Sequence, residues 1–286
     1  MDKHNVVSFA PGGEKKKRSV PHPVILGVVL CVAAFLVSVL VILAVNDFDI
    51  GKALGARDET LPSEETTAEE NAADVLADTE AFREALTFLI LCSDDDGLVF
   101  CQLAGVDIAG KKVRLKPLPT DYTLTLPSGE STVSEIFGKQ SLSVLAASFA
   151  SRNINIKKYI HVTEDNLRRL LSNLGSVEVE VTGNYEFNID AVKYTFTPGV
   201  QNMAPDTLIK YMKYAETGET VLRLQANTAA AVLRQHFTKE NLNKGESFFS
   251  TLINLVDTNI TAFDYNGALP VLTALLSEGV EIAVVS

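Results

Sequence analysis

The chain has 286 residues, 47% of them hydrophobic, and a formal net charge of −11. This length and apolar content suffice for one substantial hydrophobic core. The first 45 residues hold five basic and two acidic side chains, so the acidity lies in the rest of the chain. A folded part with this negative field, and without a dense Lys/Arg patch, excludes nucleic acid as a partner.

An uncharged run of 22 residues extends from Val24 to Val45, behind a basic cluster at Lys15–Arg18. As a helix rising about 1.5 Å per residue, it would span the roughly 30 Å hydrocarbon core of a bilayer. The basic cluster predicts a cytoplasmic N-terminus. We therefore expect a cytoplasmic tail at 1–23, a transmembrane signal anchor at 24–45 and an extracytoplasmic C-terminal part. The alternative is a cleaved signal peptide, whose apolar region is usually about 7–15 residues.

Residues 46–80 are rich in Asp, Glu, Thr and Ala, with an acidic run at Glu64–Glu70. Low hydrophobicity with charge of one sign predicts a solvated linker. A folded domain is expected from there on, at 81–286.

The domain alternates between strand-like and helix-like patterns. Short apolar or alternating segments predict strands at 87–92, 98–107, 111–118, 122–126, 157–163 and 177–181, with two more within 185–196. Helices are predicted around 131–151 and at 164–174, 206–214, 220–237, 245–256 and 265–276. Strands with interspersed helices indicate a single α/β domain, a mixed sheet flanked by helices.

Two cysteines, Cys92 and Cys101, flank an acidic loop in this domain. Both are expected to be buried strand residues, and a disulfide across the loop is the geometrically possible alternative. Two thiolates alone do not make a metal site, since further ligands are required.

Four blocks, in order, resemble one family. They are KVRLKPLPTD at 112–121, IKKYIHV at 156–162 with LGSVEVEV at 174–181, FTPGVQNMAPDTLIKY at 196–211, and DTNITAFDY at 257–265. Together they resemble the LytR–CpsA–Psr family, also called cell-envelope-related transcriptional attenuators, over residues 87–280. The resemblance implies the fold of that family. It also implies transfer of glycopolymers from a polyprenyl-pyrophosphate carrier to peptidoglycan outside the membrane of mainly Gram-positive bacteria.

The resemblance also implies arginines that bind the pyrophosphate and carboxylates that hold a divalent metal. Asp94 and Asp121 match the family's carboxylates, and the resemblance makes them the candidate Mg²⁺ ligands. Lys213 and Arg223 are the candidate catalytic cations. Where the family has further arginines, this chain has other residues, among them Asp96, Gly97, Thr120, Ala215 and Ala226.

A further cation would have to come from Arg114, Lys116 or Arg234. We favour the structural interpretation of these residues, in which Asp94 caps a loop, Asp121 caps a turn and Arg223 pairs with a neighbouring carboxylate.

Three functional hypotheses remain open. The favoured one is a family member with weakened or lost catalysis, a pseudoenzyme that binds a polyprenyl-linked envelope glycopolymer or peptidoglycan. The second is an active phosphotransferase with a non-standard set of cations. The third is a structural or assembly protein of the envelope. Clustering of Asp94, Asp121, Lys213 and Arg223 at the mouth of an apolar groove would favour the first two.

Overall fold

The computed structural model describes residues 82, 85–189, 191–216 and 218–285. They form the mixed α/β domain that the sequence predicts, built around a six-stranded sheet. The predicted tail, membrane anchor and linker at 1–23, 24–45 and 46–80 lie outside the described residues. Among the helices that are described, none is long and apolar enough to cross a membrane.

The described strands, in chain order, are β1 Leu86–Asp94, β2 Gly97–Asp107, β3 Lys112–Leu118, β4 Thr123–Leu126, β5 Gly129–Thr132, β6 Ile156–Thr163, β7 Val177–Val181, β8 Tyr185–Ile189, β9 Val192–Phe196, β10 Gly199–Met203, β11 Asp257–Thr258 and β12 Glu281–Val284. The large sheet has the order β11-β6-β1-β2-β3-β12. Within it, β1–β6 and β3–β12 are parallel and the other neighbours antiparallel. The pairs β4–β5, β7–β10 and β8–β9 form small sheets.

The described α-helices are α1 Val133–Lys139, α2 Leu142–Ser148, α3 Glu164–Leu174, α4 Pro205–Tyr214, α5 Glu219–His236, α6 Lys239–Leu242, α7 Glu246–Ile253 and α8 Ala262–Glu278. The predicted amphipathic helix is α3, where the Thr163 side chain accepts a hydrogen bond from the backbone N–H of Asn166. It ends at Gly175, whose φ of 94° favours glycine.

The two faces of the large sheet pack against different helices, because successive strand side chains point to opposite faces. One face, which carries Leu89 and Leu103, packs on α1 and α2. The other face, which carries Phe88 and Phe100, packs on α3 and α5, and α4 lies between these two helices. The second face contains the candidate site.

Four of the described strands were not predicted from the sequence: β5, β10, β11 and β12. They have two to five residues each, and they form because a partner strand is in place. Cys92 and Cys101 are buried strand residues with free thiols, so the disulfide alternative is not found. Burial raises the pKa of Cys92 to about 12, which makes it a poor nucleophile.

Candidate functional site

An apolar cavity of about 160 Å³ lies between the large sheet and helices α3, α4 and α5. Its walls are mainly aliphatic and aromatic side chains, for example Ile90, Phe100, Leu170, Leu208 and Leu233. A concave site with this lining suits a hydrocarbon ligand.

One edge of the cavity carries charge, and we call this cluster of Asp94, Glu164 and Lys213 the rim triad. The Lys213 Nζ lies 2.6 Å from the Asp94 Oδ2 and 2.9 Å from the Glu164 Oε2. Lys213 and Glu164 also line the apolar cavity. The structure thus brings two of the four predicted site residues, Asp94 and Lys213, together at this cavity.

The fold explains how the rim triad forms. Asp94 ends β1, while Glu164 begins α3 directly after β6, and the parallel pairing of Ser93 with Thr163 places these two ends side by side. Lys213 lies in the last turn of α4. An acidic residue at a helix start and a basic residue at a helix end also suit the two helix dipoles.

Asp94 has a second role in the turn between β1 and β2. Its Oδ1 accepts hydrogen bonds from the backbone N–H groups of Asp96 and Gly97, at 2.9 and 3.1 Å. Both carboxylate oxygens are therefore engaged by protein donors. This geometry fits loop capping and an ion pair, and it gives no support to Asp94 as a Mg²⁺ ligand.

The electrostatics of the rim triad favour its charged form. The hydrogen bond from Lys213 lowers the pKa of Asp94. Burial opposes the charge on Lys213, but hydrogen bonds from its ammonium group to Asp94 and Glu164 outweigh that effect and raise its pKa. The cation is thus permanently charged near neutral pH, and two carboxylates already surround it.

A further cation near the triad, Arg168, is similarly engaged. Its guanidinium group contacts Glu164, Asp165 and Asp206 at 2.9, 2.6 and 2.8 Å. Neither Glu164 nor Arg168 was predicted from the sequence to be a site residue. The only available signal was their position in the first turns of a helix that follows a strand, which is too common to identify a site.

Arg223 lies elsewhere, in a polar cleft of about 580 Å³ between β7 and α5. Other residues of this cleft include Glu178, Glu180, Tyr211 and Glu216. Arg223 does not line the apolar cavity, so the two candidate catalytic cations belong to different sites.

Asp121 is exposed in the turn after β3, where the backbone N–H of Tyr122 donates to the carbonyl of Pro119. It lines neither the apolar cavity nor the polar cleft. Arg114, Lys116 and Arg234 do not line the apolar cavity either. In the described part of the chain, no group of three His, Cys, Asp or Glu side chains is arranged to hold a metal ion.

Comparison with protein families agrees with this fold. The model of the LytR–CpsA–Psr family matches residues 137–284, just over half of the chain. The chain therefore belongs to the LytR–CpsA–Psr family. No curated protein matches the sequence.

Solved structures show the same fold at low sequence identity. Bacillus subtilis TagV is 15% identical, with a TM-score of 0.59 over 71% of this chain and 85% of TagV. A transcriptional regulator from Enterococcus faecalis is 14% identical, with a TM-score of 0.57 over 71% of this chain and 76% of that protein. TagT bound to LI-WTA is 11% identical, with a TM-score of 0.55 over 70% of this chain and 78% of TagT.

Proposed function

We propose that this protein binds the hydrocarbon chain of a lipid-linked envelope glycopolymer in the apolar cavity, and that its transferase activity is weak or lost. The observation that carries the proposal is the apolar cavity whose rim cation is already paired with two carboxylates. Membership of the family and the fold shared with TagT, which binds LI-WTA, support a glycopolymer partner.

The head group of such a lipid would find few free cations at the rim, which disfavours strong catalysis. A diphosphate leaving group is stabilised by several cations that are free to form charge-assisted hydrogen bonds. At the rim, Lys213 pairs with Asp94 and Glu164, and Arg168 pairs with three carboxylates. A diphosphate at the rim would have to displace these carboxylates from Lys213 and Arg168. Arg223 lines the polar cleft and not the cavity, so it adds no cation at the rim.

The location of the protein is part of the same proposal. The apolar run 24–45 would anchor the chain in the cell membrane, with residues 1–23 in the cytoplasm and the domain on the outer side, in a Gram-positive envelope. Protease treatment of intact cells tests this. The domain should be cleaved or released while the N-terminal tail stays protected, and full protection of the domain would contradict it.

Two assays on the full-length protein in lipid nanodiscs test the function. The first measures binding of a polyprenyl phosphate, and the second measures transfer from a polyprenyl-diphosphate-linked glycopolymer in the presence of Mg²⁺. We expect saturable binding with little or no transfer. Efficient turnover that disappears in Arg223→Ala would establish the active-enzyme hypothesis instead. Absence of lipid binding would favour the structural hypothesis.

A further inference from the structure

Gln102 is a polar residue in the wall of the apolar cavity. It lies in β2, on the same sheet face as Phe100 and Ala104, and its side chain is fully buried. Its strand neighbours are Ile90 on β1 and Pro117 on β3. Neither the Nε2 nor the Oε1 of Gln102 has a hydrogen-bond partner among the described residues.

A buried amide without partners is unfavourable, because it has given up its hydrogen bonds to water and received none in return. Most buried polar side chains in native proteins are satisfied, and each exception requires an explanation. An aliphatic residue of similar size would fill this place without that penalty. The amide therefore points to a hydrogen-bonding partner that comes from outside the chain.

The position of Gln102 defines where that partner would lie. Gln102 pairs with Ile90, which is four residues before Asp94 along β1. At the rise of a β-strand, this places Gln102 about 13 Å from the level of the rim triad. A ligand whose head group lies at the rim would thus reach Gln102 with its chain rather than with its head.

We infer that the cavity selects a lipid chain that carries a hydroxyl group about 13 Å from its head group, and that Gln102 is the residue that recognises it. A hydroxyl both donates and accepts, which matches the N–H₂ and C=O of one amide. A plain hydrocarbon chain leaves the amide unsatisfied, and sites built to hydrogen-bond a hydroxyl discriminate against analogues that lack it. The inference rests on the proposed function, because it requires that the cavity takes a lipid chain.

The test compares two probes, dodecyl phosphate and ω-hydroxydodecyl phosphate, as competitors of a fluorescent lipid on the full-length protein in nanodiscs. We expect the hydroxylated probe to bind about tenfold more tightly, equivalent to about 1.4 kcal/mol. Equal binding, or tighter binding of the plain chain, would overturn the inference while leaving the proposed function intact. If neither probe nor any polyprenyl phosphate binds, the proposed function itself fails.

Two variants separate recognition from a structural role. Gln102→Met keeps a side chain of similar length without the amide, and it should abolish the preference and raise the melting temperature. Leu167→Met changes the same cavity without touching the amide, and it should retain the preference. A preference that survives in Gln102→Met would show that another group recognises the hydroxyl, and a fall in its melting temperature would show that the amide is satisfied inside the protein. Either result would overturn the inference. If Gln102→Met does not fold, the comparison of the two probes on the unaltered protein still decides.

Discussion

The apolar cavity and the polar cleft lie on two sides of the same helix, α5. Gln225, Ala229 and Leu233 of this helix line the cavity, whereas Arg223 and Asn227 line the cleft. Residues four apart share one helix face, and the two sets are offset by two positions, so a helix with 3.6 residues per turn sends them in different directions. Lys213 and Arg223 were both predicted as catalytic cations, yet one borders the cavity and the other the cleft.

This separation shows that a motif match does not guarantee a shared site. The cavity combines hydrocarbon walls with a rim whose lysine is already paired with two carboxylates, which suits a lipid chain. The cleft combines carboxylates with Arg223 and has about 580 Å³ of space, but it has no comparable apolar wall. If this contrast is correct, substitutions on the cavity side should change stability and lipid binding far more than matched substitutions on the cleft side.

The largest expected effect concerns packing. Leu170→Ala removes a fully buried side chain between α3 and the sheet, and we expect the free energy of unfolding to fall by about 3 kcal/mol. Glu180→Ala, an exposed change in the cleft, should alter it by less than about 0.5 kcal/mol. Urea unfolding monitored by circular dichroism measures both. Similar losses in the two variants would contradict the contrast.

The next effect concerns the rim triad. Lys213→Met leaves Asp94 and Glu164 without their shared cation, and we expect a loss of about 2 kcal/mol of stability. The matched control is Lys193→Met, which breaks the surface pair with Glu186 and should cost less than about 0.5 kcal/mol. Thermal unfolding at low ionic strength compares the two. A Lys213→Met protein as stable as the control would show that the triad is weak.

A third effect concerns the lipid site. Ala229→Phe introduces a ring into the cavity, and it should weaken binding of a polyprenyl phosphate by about tenfold, or about 1.4 kcal/mol. Ala231→Phe makes the same change toward the cleft and should leave lipid affinity unchanged. Competition with a fluorescent lipid measures both affinities. Equal losses would mean that the lipid does not use the apolar cavity.

The smallest effect is the pH dependence of Asp94. Its pKa is lowered in the folded state, so its carboxylate stabilises the fold above its ordinary pKa of about 3.9 and loses that contribution as the pH falls through the folded value. Asp94→Asn should cost about 1 kcal/mol at about pH 7 and almost nothing well below pH 4. Unfolding at several pH values compares it with the parent. A difference that stays constant with pH would argue against this linkage.

The sequence predicted the core of the fold better than its edges. β1, β2 and β3 were evident as apolar runs separated by turn residues, and α3 was evident from its leucine spacing and Gly175. β12 was missed because its four residues form a strand only where β3 offers an edge.

The candidate site was harder to predict from the sequence than the fold, because it depends on contacts between residues far apart in the chain. Asp94 and Lys213 were both candidates, but 119 residues separate them, and only the packing of α4 beside the end of β1 makes them partners. Gln102 lies inside a predicted strand, and the strand pattern alone does not reveal which face of the sheet covers a cavity. Glu164 had no distinguishing signal at all.

The pairing of β12 with β3 bears on how the domain is completed during synthesis. β12 is the last of the described strands along the chain. Its four residues pair in parallel with β3, which lies about 170 positions earlier. Loop closure over this separation has a high entropic cost, and the outer edge of β3 stays unpaired until residues 281–284 have been synthesised. Arg234 then stabilises β12, because its guanidinium group donates a hydrogen bond to the carbonyl of Ile282. Chains that end before residue 281 would therefore leave the backbone N–H and C=O groups along this edge of β3 unpaired. We expect such chains to self-associate before they lose secondary structure.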